Sequence, residues 1–594
     1  MSPHDHHGHA LAGRDLGDSF SRDTSGLPNA TSHEIINLCD QDVFELRALP
    51  VRKRIGDTMI RMLGYNGSIP GPTLHVDQGS EVTVDFTNET DLETTVHWHG
   101  LRVDNRFDGV PEGAHHGMQP PIAPGGRFSY RLRFPDPGVY WYHPHIREDY
   151  TQEMGLYGNI VVVPSDPDYW SPVNRELALT LDDILIEDGD VATFSRTESN
   201  RTAMGRFGNV MLTNGEADFS LEASQGEVIR LYLTNVANAR TFNFRIPSAR
   251  MKLVGRDQGR VEHEEFVEET FISPSERVVV DVLFDRAGEF AIEHRTPDRT
   301  YSLGTVRVSE RPVERSYERG FGALRHSEDL AAERERLEAD LDRPPDKTLA
   351  LVGEMPGMAQ HGEHGHGHHS QGHGEHAGTE AGPGIEWEDT MPMMNEMSTH
   401  RNMHWGLIDR ETGNANYDIR WSFRVGDRVK VRIVNEPDSD HPMQHPIHFH
   451  GQRFLVLARD GVRNPNLAWK DTNLVSTGQT TDILVEMSNP GLWMVHCHIA
   501  EHLEGGMMFS YRSKSSDCRR PAVRRGRHRL YESRRPVQTV LAVGDNSRRA
   551  RFGMAFLDSM VLTQHSRRDS NMEDNIGLVH DFAHSTWSAL CLGG

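Results

Sequence analysis

His496-Cys497-His498-Ile499-Ala500-Glu501-His502, with Met507 five residues further on, decides how the rest of the chain is read. The run gathers one thiol, three imidazoles and one thioether, the donor types that soft and borderline transition metals prefer. In an extended strand Cys497 points to one face while His496 and His498 point to the other, because side chains alternate with a period of two. One short strand therefore faces two metal centres. A structural zinc site usually closes with paired Cys and His ligands, and the chain contains no CxxC. A trigonal His2Cys site with a weak axial Met is the blue-copper arrangement. Cys497, His502 and Met507 supply three of its four ligands, and a second His has to come from elsewhere.

Three further motifs carry paired imidazoles: His97-Trp98-His99-Gly100, His143-Pro144-His145 and His445-Pro446-Ile447-His448-Phe449-His450-Gly451. An HxH on a strand puts both rings on one face. One such motif arises easily by chance; four, the last with a Cys between its histidines, do not.

Around these motifs the texture is that of short strands. Val43–Leu49, Glu81–Phe86, Arg127–Phe134 and Gly158–Val163 alternate apolar and polar residues, with turns such as Asn66-Gly67-Ser68-Ile69-Pro70-Gly71-Pro72 between them. Short strands punctuated in this way predict antiparallel β-sandwiches. A first domain is expected over 40–165 and a second over 166–310. The second has no HxH motif, and its His263 and His294 read as ordinary surface or satisfied histidines. Residues 311–345 differ in kind: Ser327 is an N-cap candidate, and Leu330, Leu337 and Leu341 share one face of a predicted linker helix. A third domain is expected over 346–512, carrying a His/Met-rich insertion at 354–400 whose Gly/His part cannot bury a core and is predicted disordered. A disordered His-containing arm (1–39) and a poorly structured basic tail (513–594) flank the three domains, and Cys518 and Cys591 in the tail receive no role.

The chain has 594 residues, 36% of them hydrophobic, enough for three or four domains with cores of their own. A formal charge of −24 argues against nucleic acid as a partner. No run of about 18 apolar residues is present to span a membrane. The N-terminus, Met1-Ser2-Pro3-His4-Asp5-His6-His7, lacks the basic and apolar regions of a signal peptide, so compartment is left open.

Taken together, the four motifs resemble those of three-domain multicopper oxidases of the laccase and copper-efflux oxidase type, over roughly residues 40–512. Tyr65–Pro72, Gly109-Val110-Pro111-Glu112-Gly113 and Trp469-Lys470-Asp471-Thr472 share the resemblance. It implies an all-β fold of three consecutive cupredoxin-like Greek-key sandwiches holding four coppers. A type 1 copper would be held by His445, Cys497 and His502 with Met507 axial. A type 2 copper would lie on His97 and His448, and a type 3 pair on His99, His143, His145, His450, His496 and His498. The cluster would then draw four histidines from the first domain and four from the third, with the middle domain as spacer and wall. Asp108 matches an acidic residue that the family places near the cluster. After His502 bacterial relatives often carry Glu, but here Leu503 intervenes, leaving Glu504 as the second candidate for proton handling.

The activity implied is one-electron oxidation of phenolic or aromatic substrates, or of Cu(I), coupled to reduction of dioxygen to water. The sequence leans toward a laccase-like monomer with metallo-oxidase ability. The alternative is a copper-binding or resistance protein that sequesters the metal without turnover; a two-domain nitrite reductase fits poorly, because it needs no Cys flanked by cluster histidines.

Overall fold

A computed structural model describes residues 19–113, 117–356 and 384–515. The predicted His arm before residue 19, the Gly/His part of the insertion and the basic tail beyond residue 515 lie outside the described residues.

Three β-sandwiches follow one another. In the first, a four-stranded sheet (Val43–Ile55, Thr58–Tyr65, Glu81–Asn88, Arg127–Arg133) faces a five-stranded one (Ile35–Leu38, Thr73–Asp77, His97–His99, Gly138–His143, Gly158–Val163). The alternation read from the sequence is the burial pattern: Val82, Val84 and Phe86 are in the core while Asp85 between them is exposed. The middle sandwich pairs a six-stranded with a five-stranded sheet, and the last a seven-stranded with a five-stranded sheet. Each has its own hydrophobic core.

The sandwiches are not purely antiparallel. Val43–Ala48 runs parallel to Thr83–Asn88, Arg175–Leu181 to Ile229–Asn235 and Lys347–Leu351 to Val431–Asn435. The two strands of each pair are separated by chain that crosses to the other sheet, so the later strand can return in the direction of the earlier one.

Two segments expected to be loose are built into the fold. Ile35–Leu38 adds a parallel edge strand beside Thr73–Asp77, and Phe20 is buried with its ring stacked on Tyr150, so the N-terminal arm is ordered from residue 19. Residues 384–400 of the insertion are anchored as well. The short helix Pro392–Met397 buries Asn395, whose amide donates to the Gly205 carbonyl and to Asp389, and Met391 and Met394 pack against the core of the last sandwich. Polar bonds and thioether packing hold this stretch where composition suggested freedom.

The linker helix spans Glu328–Leu341 with the Ser327 side chain capping Leu330 N–H. Leu330 and Leu337 are buried, and Leu341 packs beside them, against Leu455, Leu457, Leu467 and Leu484 of the last sandwich. Its charges are not all solvated: Arg334 pairs with the buried Glu262 of the middle sandwich. His294 is a core histidine, whereas His263 faces His326 with their Nδ1 atoms 3.0 Å apart. No helix among the described residues is long and apolar enough to cross a membrane.

Candidate metal centre

Strand register assembles the motifs. His97 lies opposite His143 in the first sandwich. In the last, His448 lies opposite His496 and Ile447 opposite Cys497, on neighbouring strands His445–Phe449 and Gly491–Cys497. Period-two alternation then sends Cys497 into the apolar core of its sandwich, alongside Met507, while His496 turns to the opposite face.

In that core Cys497 Sγ is 3.5 Å from His445 Nδ1 and 3.7 Å from His502 Nδ1, and the two nitrogens are 3.2 Å apart. Three donors converge on one point, and Met507 is fully buried in the same cluster, its carbonyl accepting from the Cys497 N–H at 3.1 Å. Burial pushes the Cys497 thiol up and lowers His445 to about 3, so the protein by itself holds a neutral thiol and neutral imidazoles. A bound cation makes the thiolate.

The other eight histidines meet between the first and last sandwiches, all buried. His145, His450 and His496 bring ligand atoms together in one group, as do His97, His99 and His143 in a second and His97, His448 and His450 in a third. The His498 ring lies 5.0 Å from that of His99 and 5.1 Å from that of His143.

Hydrogen bonds decide which nitrogen each ring presents. A carbonyl can only accept, so the Nδ1 atoms of His97 (to Asp108 O, 2.6 Å), His143 (to Pro144 O, 2.8 Å), His448 (to Asp471 O, 2.9 Å) and His496 (to Cys497 O, 2.9 Å) carry the proton. Their Nε2 atoms are left with lone pairs. His99 is reversed: Nε2 donates to Asp471 Oδ1 at 3.0 Å, leaving Nδ1 to face inward. His450 donates through Nδ1 to Asp108 Oδ2 at 3.0 Å, and its Nε2 then sits 3.0 Å from His496 Nε2. Two facing lone pairs at that distance repel unless a cation lies between them. The inward nitrogens of His97, His99, His143 and His448 are buried without a hydrogen-bond partner, which costs free energy in a protein but is what metal ligation requires. Burial holds His450 near 4 and His498 near 3, so these rings are unprotonated at neutral pH, as metal ligation requires. The donor set fits copper: thiolate, imidazole and thioether in the first centre, imidazole alone in the second.

Asp108 is buried against both His97 and His450. Burial alone would raise its carboxyl, but His450 and His97 outweigh that and hold it well below the usual carboxylate range. Glu504 is not the carboxylate nearest the histidines; the charged groups acting on it are Asp149, Arg147 and Glu501. Besides Asp108 and Asp471, the carboxylate beside the histidines is Glu148, fully buried, whose Oε1 is 3.5 Å from His143 Nδ1 and 3.6 Å from His145 Nε2. Sequence reading missed Glu148, although it stands only three residues beyond His145. Nor does the sequence mark a role for Asp471 or for Trp405, whose ring stacks on His502 and meets His445 edge-on.

Family models described as multicopper oxidase match residues 51–167, 177–310 and 386–517. The chain belongs to the multicopper oxidase family. A multicopper oxidase of Staphylococcus epidermidis is 26% identical over 461 residues, covering 75% of this chain and 82% of that protein. A copper resistance protein A homolog of Pseudomonas syringae pv. tomato is 26% identical, covering 76% and 90%. Among solved structures, a multicopper oxidase of Pseudomonas thermotolerans is 25% identical with a TM-score of 0.57, covering 81% of this chain and all of that one. This multicopper oxidase thus has the three-domain cupredoxin fold and the four-copper cofactor set of its family, and is a copper oxidoreductase with dioxygen as acceptor.

Proposed function

We propose that this multicopper oxidase oxidises Cu(I) in preference to bulky phenols. Its type 1 copper would be held by His445, Cys497, His502 and Met507, its type 2 copper by His97 and His448, and its type 3 pair by His99, His143, His145, His450, His496 and His498. When bound, these coppers would supply one-electron oxidation of the reductant and four-electron reduction of dioxygen to water. Cys497 lies between His496 and His498 in sequence, so with these ligands one stretch of chain would join both centres by a short covalent route.

The observation that carries the substrate choice is the cover over the first centre. His445 is 1% and His502 0% exposed, and Trp405 lies against both rings. A phenol cannot touch either imidazole, whereas a small soft cation needs only donors along its way. Met391 and Met394 pack against this core, and Met393 and Met397, four residues apart on the same helix, are 79% and 66% exposed. Thioethers suit Cu(I). This shifts the reading from the laccase-like side to the metallo-oxidase side.

Water formation consumes protons, and the chain holds them beside the cluster. Burial, reinforced by Glu504 and Asp149, raises the Glu148 carboxyl well above its usual range, which favours its protonated form next to His143 and His145. Behind it, burial lifts Glu501 to about 7 and Glu504 to about 8. Asn238 links this group by donating to Glu501 Oε1 and to the Asp149 carbonyl. Leu503, in the position where relatives carry a carboxylate, is buried instead among Val110, Met494 and Met508. Glu148 and Glu504 take over its duty from the facing helical turn Glu148–Thr151 and from the turn's partner Ala500–Glu504.

The test is oxygen consumption by copper-loaded protein fed Cu(I) or a phenol, with Cys497→Ser as the dead control. A Met393→Leu/Met397→Leu variant should raise KM for Cu(I) and leave phenol turnover unchanged. Deleting the whole insertion would be uninformative, because Asn395 and Met394 are part of the fold. Faster turnover of the phenol than of Cu(I), indifferent to the two methionines, would refute the substrate assignment; absence of oxygen uptake with either would favour copper sequestration.

A further inference from the structure

The middle sandwich was expected to act as spacer and wall, yet one of its arginines reaches into the cluster's support. Arg277, fully buried at the start of strand Arg277–Phe284, donates from Nη1 to Asp471 Oδ1 (2.7 Å) and from Nη2 to Asp471 Oδ2 (2.5 Å). Its Nε donates to the Val139 carbonyl of the first sandwich at 3.0 Å, and Nη1 also bonds the Ser275 carbonyl. One guanidinium therefore touches all three sandwiches. Gln258, also of the middle sandwich, adds a second donor to Asp471 Oδ2 at 3.0 Å.

Asp471 in turn serves two cluster histidines from different domains. Its Oδ1 accepts from His99 Nε2 and its carbonyl from His448 Nδ1. Thr472 Oγ1 lies 3.1 Å from both of those ring nitrogens and accepts from Ser275 Oγ of the middle sandwich. The bidentate pair matters because it leaves the carboxylate plane no freedom to rotate. Oδ1 is thereby fixed where it receives the His99 Nε2 proton, and His99 must offer Nδ1, the reverse of the four histidines bonded to carbonyls. The backbone makes room for this arrangement: a Cβ on Gly100, at φ +84°, would come 2.5 Å from Asp471 Oδ2 and 2.8 Å from Arg277 Nη2.

We propose that Arg277 is a positioning residue for the oxygen-reducing cluster, setting through Asp471 the ring orientation of His99 and His448 so that the middle domain controls copper occupancy of a site to which it gives no ligand. The proposal rests on the assignment of His99 and His448 as cluster ligands. Partners that orient metal-bound histidines typically control about 10–100-fold in affinity or activity.

The test is Arg277→Lys, which keeps the charge and removes the fork, read by copper titration, EPR and thermal melting. The parent should load four coppers with separate type 1 and type 2 EPR signals; failure there would refute the ligand assignment rather than the role of Arg277. In Arg277→Lys the type 1 signal and blue colour should be unchanged. The type 2 signal should shift, and cluster copper should bind about 10–100-fold more weakly. Gln258→Leu, milder because the fork remains, should move the same signals less and serves if Arg277→Lys does not fold. Unchanged type 2 EPR and full cluster occupancy in the variant that folds would overturn the proposal, as would parallel loss of type 1 and cluster copper in step with a lowered melting temperature.

Discussion

Trp405 lies nearly flat on His502, ring centroids 4.0 Å apart at 30°, and is held there by its indole N–H donating to the Thr202 carbonyl at 2.7 Å. The cover over His445 and His502 is thus pinned from the middle sandwich. Replacing Trp405 with Ala should cost about 3–5 kcal/mol of stability and open the His502 edge. The ratio of phenol to Cu(I) turnover should rise, measured as kcat/KM for each substrate on copper-loaded protein. An unchanged ratio would show that Trp405 does not gate access.

Asp108 holds His97 through its carbonyl and His450 through Oδ2. Asp108→Asn keeps the carbonyl and the shape but cannot offer the same charged acceptor to His450. Oxygen reduction should fall about 10–100-fold, while anaerobic bleaching of the blue type 1 centre by a reductant stays at the parent rate. Stopped-flow absorbance separates the two half-reactions.

His294, buried in the middle sandwich and remote from copper, is depressed to about 3, mainly by burial and secondarily by Arg240. Its folded pKa lies below the unfolded value of about 6.5, so the unfolded chain binds the extra proton between them. Stability from this group is complete above about pH 6.5 and drains as pH falls toward 3, by about 3 kcal/mol at pH 4. His294→Asn retains an acceptor for the Asn243 N–H that His294 Nδ1 now takes at 3.0 Å. Denaturant melts between pH 7 and 4 should show a flatter acid limb in this variant; an equal slope would place the acid sensitivity elsewhere.

Leu337 is buried where the linker helix meets Leu455 and Leu484. Leu337→Ala should destabilise by about 2–5 kcal/mol, whereas Glu338→Ala on the exposed side should stay within about 0.5 kcal/mol. Equal effects on thermal denaturation would mean that the helix is not docked in solution.

Much of the fold and of the candidate site was legible because it is local and periodic. The alternation at Val82, Val84 and Phe86 marks a half-buried strand by itself, and the HxH and HCH motifs expose their face by period two. Ser327 and the leucines seven and four residues apart mark the linker helix for the same reason. Glu148, Asp471, Arg277 and Trp405 carry no such local signal. Asp471, Arg277 and Trp405 acquire their roles from another sandwich, as Arg277 does with Asp471, and Glu148, though three residues from His145, acquires its raised carboxyl from burial in the assembled fold. The Met/His insertion misled in the opposite sense: its polar composition suggested a free loop, but the Asn395 bonds to Gly205 and Asp389 anchor residues around it.

The sequence by itself determined the donor types and the alternation that splits Cys497 from His496 and His498, because covalent order and side-chain period are properties of the strand alone. Tertiary structure decided which nitrogen each histidine offers, which carboxylate stands beside the cluster, and what covers the first centre. Those depend on hydrogen bonds and burial between sandwiches, where a carbonyl, a bidentate arginine or an indole arrives from a part of the chain that no local pattern connects to the motif.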